Sequence, residues 1–203
     1  MNYKLWLIIL LIMMNVTLLS IIIKKHTPTN KAISTSRITS DRIRMDEKVD
    51  EGKYINPLSS LINLNRDTIK LKDMLIDQPK LVFRYSNRHC WSCVEDLLKK
   101  LSSSKTDSII KRNIVIIANY DEFRSFYLMH NIVDWGFESY NYDKVFQDLF
   151  AETKNSPYLM VLDSSYCTKM IFHPNNSEEN LLRDYLNSVR NRFYNEKSQD
   201  AEL

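Results

Sequence analysis

Apolar residues along this chain are arranged in three ways: one unbroken run, one long polar gap, and a series of short blocks. The run covers residues 5–23, "LWLIILLIMMNVTLLSIII", without a charged side chain. At ~1.5 Å per residue it would make ~28 Å of helix, close to the ~30 Å hydrocarbon core of a bilayer. The gap, residues 26–56, is polar and mixed in charge and carries too little apolar surface to order itself, so it predicts a tether. From residue 57 the blocks begin. "LINLNRDTIKLKDML" predicts a short hairpin followed by a helical turn. "PKLVFRYS" (79–86) and "NIVIIAN" (113–119) have strand length, and the second is apolar on both faces, as in a central or parallel strand.

Between those two strands Val94, Leu97, Leu98 and Leu101 recur at helical spacing. "DEFRSFYLMHNI" predicts a second helix, with its acidic residues in the first turn. Residues 134–154 are aromatic and predict a loop leading into a short helix, with Phe146, Leu149 and Phe150 in the core. "YLMVLD" and "TKMIFH" have the spacing of a hairpin. The last block is a helix with Ser177 as its cap and a stripe of Leu181, Leu182, Tyr185, Leu186, Val189 and Phe193. The order is hairpin, β, α, β, α, β-hairpin, α: a mixed α/β sheet covered by helices on both faces. The expected divisions are an anchor (1–25), a tether (26–56), a globular domain (57–197) and a tail (198–203).

A net charge of +3 is too small to argue for nucleic acid, and no basic cluster is interleaved with aromatics. Gly52 and Gly136 are the two glycines, which leaves no glycine-rich loop to cradle a phosphate. The apolar run competes between two readings. A cleaved signal peptide would use "AIS", ending at Ser34, but "KKHTPTNK" separates that site from a run longer than an ordinary signal core, which favours a retained membrane anchor. Lys4 favours an N-terminus in the cytoplasm, whereas Lys24 and Lys25 pull the other way.

The chemistry is concentrated in "RYSNRHCWSC", where Cys90 and Cys93 lie between the first long strand and its helix. With the Ser156-Pro157 step before "YLMVLD" and the closing strand pair and helix, this order resembles the thioredoxin-like superfamily over about residues 57–195. The hairpin and "TIKLKDML" before the strand are similar to the membrane-tethered, extracytoplasmic branch that exchanges disulfides. The resemblance implies a thioredoxin-like mixed sheet with a hairpin extension and an N-terminal transmembrane helix, in the inner membrane with its domain on the periplasmic side.

A helix N-terminus favours thiolate, so Cys90 should be the nucleophile and Cys93 the resolving thiol. Trp91 and Ser92 separate the thiols, and Arg88 and His89 could add positive charge. The family further implies a cis Ser156–Pro157 bond and a client backbone paired beside it. Its thioredoxin members most often have Thr where this chain has Ser156, and the Trp-Cys-Gly-Pro-Cys order is absent.

The partners implied are protein disulfides, a membrane electron donor and the membrane itself. No cofactor is needed, because the sulfurs carry the electrons. A peroxidase of the peroxiredoxin class would need Pro and Thr or Ser where Phe83 and Asn87 stand. Copper handling, with His89, Cys90 and Cys93 as soft ligands for Cu(I) or Zn, and a non-enzymatic thioredoxin-fold binding module are the other readings; no closed zinc set is present, His130 and His173 read as a packed and a surface histidine, and Cys167 as structural.

Overall fold

The computed structural model describes residues 48–132, 134–142, 144, 146–174 and 179–194, and residues 3, 13 and 14. Residues 1–42 and 43–203 form separate units. In the first, Tyr3, Met13 and Met14 are helical and exposed. The rest of the expected anchor and residues 26–47 of the tether lie outside the described residues, as do the expected cap Ser177 and the tail. Among the described residues no helix is long and apolar enough to cross a membrane.

The second unit is built on a seven-stranded sheet. In chain order its elements are β1 (Ser60–Asn63), β2 (Thr68–Lys70), α1 (Leu71–Met74), β3 (Lys80–Ser86), α2 (Trp91–Ser102), α3 (Ser108–Asn113), β4 (Ile114–Asn119), α4 (Phe123–Ile132), β5 (Glu138–Asn141), α5 (Phe150–Thr153), β6 (Tyr158–Leu162), β7 (Thr168–Phe172) and α6 (Glu179–Phe193). The strand order is β2-β1-β5-β4-β3-β6-β7. β3 runs parallel to β4 and antiparallel to β6, and β4 runs parallel to β5.

Strand periodicity places alternate side chains on opposite faces. Leu81, Phe83 and Tyr85 of β3 meet Val94, Leu97, Leu98 and Leu101 of α2 and Leu182, Tyr185 and Val189 of α6 on one face. Val82, Val115, Ile117, Met160 and Leu162 meet Leu71, Phe146 and Leu149 on the other. The central strands are apolar on both sides because both sides are covered.

Several features depart from the expected pattern, α3 among them. β5 lies where a loop was expected: its buried Asn141 accepts at Oδ1 from the Tyr120 N–H at 2.9 Å and donates from Nδ2 to the Tyr120 carbonyl at 3.0 Å, which makes a polar strand tolerable inside. Phe150 is 42% exposed instead of buried, because it opens a four-residue helix and turns outward under the Lys154 ammonium. Asp121 and Glu122 precede α4 rather than filling its first turn. Finally, residues 48–55, expected as tether, lie against the sheet: Gly52 donates to the Thr168 carbonyl at 2.7 Å, Ile55 to Tyr166 at 2.7 Å, and Tyr54 bridges Cys167 in antiparallel fashion.

Candidate active site

The end of β3 sets the site. Ser86 closes a turn in which the His89 N–H reaches the Ser86 carbonyl at 3.1 Å and the Ser86 N–H donates to His89 Nδ1 at 3.2 Å. The Asn87 N–H is held by the Asn119 carbonyl of β4 at 2.9 Å, and its side chain by Asp121 at 3.2 Å. The chain therefore leaves the sheet locked to the neighbouring strand and enters α2 at Cys90, the N-cap residue. The first turn of α2 holds no acidic side chain to oppose a thiolate. Glu95–Lys99 and Asp96–Lys100 pairs, both 2.7 Å, brace the helix further on, each contributing only ~0.3–0.5 kcal/mol.

Cys90 and Cys93 are both thiols; the first is exposed and the second half-buried one turn further in. Ser92 Oγ lies 3.0 Å from Cys90 Sγ. The Ser92 hydroxyl most of all, then the Cys93 N–H and thiol, pull the Cys90 pKa from 9.0 down to about 7. A pKa lowered this far makes the thiolate, the attacking species, available at neutral pH. Replacing Ser92 with Ala is expected to move the pH midpoint of Cys90 alkylation upward, towards 9; an unmoved midpoint in a pH series of iodoacetamide rates would contradict that role for the hydroxyl.

The residues expected to add positive charge behave differently from one another. Arg88 is exposed, with its backbone N–H on Ser86 Oγ at 3.3 Å. Burial, opposed by the Glu152 carboxylate and reinforced by Arg84, holds His89 below its ordinary pKa, so at pH 7 its ring is neutral. The cation behind the loop is Arg84, 2% exposed in the middle of β3, which sequence reasoning did not single out. Its Nε and Nη2 grip Glu152 at 2.9 and 3.3 Å, Nη1 lies 3.4 Å from the Ile117 and Tyr142 carbonyls, and Tyr158 donates to Glu152 at 2.7 Å. On the other face Tyr85 pairs with His130 Nε2 at 2.5 Å, and burial pushes His130 down to about 4, so it is a neutral core residue.

Trp91 is half-buried against the α2 core and Ser92 is exposed. Arg84 is the residue opposite Tyr158 at the β3–β6 pairing end, so Ser156 and Pro157 lie at the sheet end from which the loop to Cys90 departs. Ser156 Oγ is 3.1 Å from His173 Nδ1, and Pro157 is buried. The Ser156–Pro157 bond is trans, since no cis peptide bond is present among the described residues. This corrects the expected cis bond. Trans is favoured by ~0.5–1 kcal/mol for such bonds, and here Asn155, at φ 48°, turns the chain into β6. Among the described residues no three His, Cys, Asp or Glu side chains converge as metal ligands.

No family model matches the sequence, and no curated protein matches it. Solved structures do. The peroxidoxin BcpB of Mycobacterium tuberculosis overlays with a TM-score of 0.51 at 12% identity, over 71% of this chain and 98% of that one. The pneumococcal exposed lipoprotein thioredoxin of Streptococcus pneumoniae gives 0.46 at 13% identity, over 64% and 97%. A secreted disulfide oxidoreductase of Mycobacterium tuberculosis gives 0.42 at 9%, over 64% and 96%. Identities this low bear on fold and leave chemistry to the residues. The positions a peroxiredoxin would use hold Phe83, fully buried in the core, and Asn87, in the turn. With a mixed sheet, a strand–loop–helix unit bearing the cysteines and the peroxidoxin overlay in agreement, this chain is thioredoxin-like in fold.

Proposed function

We propose that this protein is a membrane-tethered thiol–disulfide oxidoreductase that reduces protein disulfides through Cys90 and Cys93 on the extracytoplasmic side of the inner membrane. The observation that carries the reading is the exposed, acidified Cys90 sulfur at the start of α2 with the Cys93 thiol one turn behind it. Cys90 thiolate attacks one sulfur of a client disulfide; that S–S bond breaks and the departing client thiolate takes a proton. Cys93, losing its proton, attacks Cys90 in the mixed disulfide and frees the client as a dithiol. Two electrons have passed to the client, and the Cys90–Cys93 disulfide is left for a membrane-borne dithiol donor to reduce. Ser156, Pro157, Trp91 and Ser92 frame the side from which the client enters, its extended backbone laid beside the residue before the proline.

The tether is supported by the 19-residue apolar run and its lysine flanks. The reducing direction is supported by the reasoning that a dithiol kept in an oxidising compartment needs a membrane-held supply of electrons. Equilibration of the full chain with glutathione mixtures tests both chemistry and direction. The expected potential lies well below the about −120 mV of a strong oxidant. A value near that figure overturns the direction, and failure to form the Cys90–Cys93 bridge in any mixture overturns the reading. Labelling intact cells with a membrane-impermeant thiol reagent, before and after reduction, tests the side.

A further inference from the structure

We infer that Asp50 is a positioning residue for client binding: its carboxylate, carried on the arm that follows the tether, holds α5 and through it the Ser156–Pro157 loop. This rests on the function proposed above. α5 is one turn long and cannot hold itself together. Its N-cap residue, Leu149, offers no side-chain acceptor, so the first N–H groups lack a local partner. Asp50 supplies both, from 100 residues earlier: Oδ1 accepts from the Phe150 N–H at 2.8 Å and Oδ2 from the Ala151 N–H at 2.7 Å. The carboxylate is 1% exposed and is matched by the Lys53 ammonium at 2.7 Å, which also reaches the Asp148 carbonyl at 2.9 Å.

The arm itself is held firmly. Gly52, at φ 79°, turns it so that residues 52–55 pair with residues 166–168, where the chain enters β7. Thr168 Oγ1 donates to the Asp50 carbonyl, and Glu51 accepts the Met170 N–H at 2.9 Å, where β7 is bulged. From this fixed point α5 runs to the client side within a few residues: Glu152 grips Arg84 and Tyr158, and Asn155 turns into Ser156 and Pro157. The Cys90 sulfur draws its acidity from Ser92 and Cys93, both in the first turn of α2 and neither on α5. Loosening the front of α5 should therefore shift the surface that receives a peptide and leave the nucleophile as it was.

Asp50→Ala and Asp50→Asn in the full chain test this with two substrates: insulin, whose disulfides lie in extended peptide, and 2-hydroxyethyl disulfide, which has no peptide backbone. Asp50→Ala is expected to raise KM for insulin about tenfold, the order of a lost helix cap, with kcat, the pH midpoint of Cys90 alkylation and the rate on 2-hydroxyethyl disulfide unchanged. Asp50→Asn, which keeps one acceptor, should fall between, and it decides the matter if the alanine variant does not fold. An unchanged KM for insulin overturns the inference, as does equal loss on both substrates or a shifted Cys90 midpoint. If the unaltered protein reduces neither substrate, the proposed function fails and the inference with it.

Discussion

Replacing Cys90 with Ser is expected to lower the rate of disulfide reduction by about a thousand-fold or more, because the hydroxyl left behind is not ionised at neutral pH. Replacing Cys93 with Ala should be as damaging to turnover but should leave a different product. Cys90 can still attack, and the mixed disulfide then has no internal thiol to release it, so client protein accumulates on the chain as a reducible adduct. The asymmetry follows from exposure: Cys90 is open to solvent, and Cys93 is half-covered behind it. Non-reducing electrophoresis of the two variants after incubation with oxidised insulin reads the result. A trap obtained with Cys90→Ala alone would reverse the two roles.

Removing the Glu152 carboxylate should cause the largest loss of stability. Arg84 is 2% exposed and Glu152 takes two of its donors, with the Ile117 and Tyr142 carbonyls as longer contacts at 3.4 Å. Glu152→Ala strands a buried cation and is expected to cost about 3 kcal/mol, towards the lower end for a broken buried pair because Glu152 is 23% exposed. Replacing both partners, as Arg84→Met with Glu152→Ala, should restore part of that loss, since no charge is then stranded.

The pH dependence has a definite sign. Burial alone would raise the Glu152 pKa, but the hydrogen bonds and charge of Arg84, with help from Tyr158, outweigh it and hold it below 4.5. A depressed folded-state pKa stabilises above the unfolded value, and that contribution disappears as pH falls through the folded one. Urea unfolding at pH 7 and at pH 3 should therefore show a smaller difference between Glu152→Ala and the unaltered protein in acid. An equal difference at both would contradict the assignment.

The regular core was readable from spacing. β3, α2, β4, the β6–β7 pair and α6 each bury one continuous pattern, and local periodicity reports that directly. The cysteines sit where a strand gives way to a helix, which the change of period alone marks. What escaped is held by long-range polar pairing. Asp50 and Arg84 look like surface charges in sequence; each is buried because its partner lies 100 or 68 residues away. β5 carries Ser139 and Asn141 inward and has no apolar alternation to announce it. α3 was missed although Asp107, which caps Ile109 and Ile110, stood before it as a usable signal. Phe150 shows the converse: a large aromatic side chain is no guarantee of burial when its helix lasts one turn.

The strip of backbone from Gly52 to Ile55 also has a bearing on how the molecule keeps to itself. The outermost strand of an open sheet offers unmet amide and carbonyl groups to any passing copy, a standing invitation to stack. Here residues 52–55 cover the start of that flank, pairing with Thr168, the first residue of β7, and with Tyr166 and Cys167 just before it. A version trimmed back to Pro57 would bare it, so a recombinant form without the apolar run should begin at Lys48 or earlier if it is to stay monodisperse.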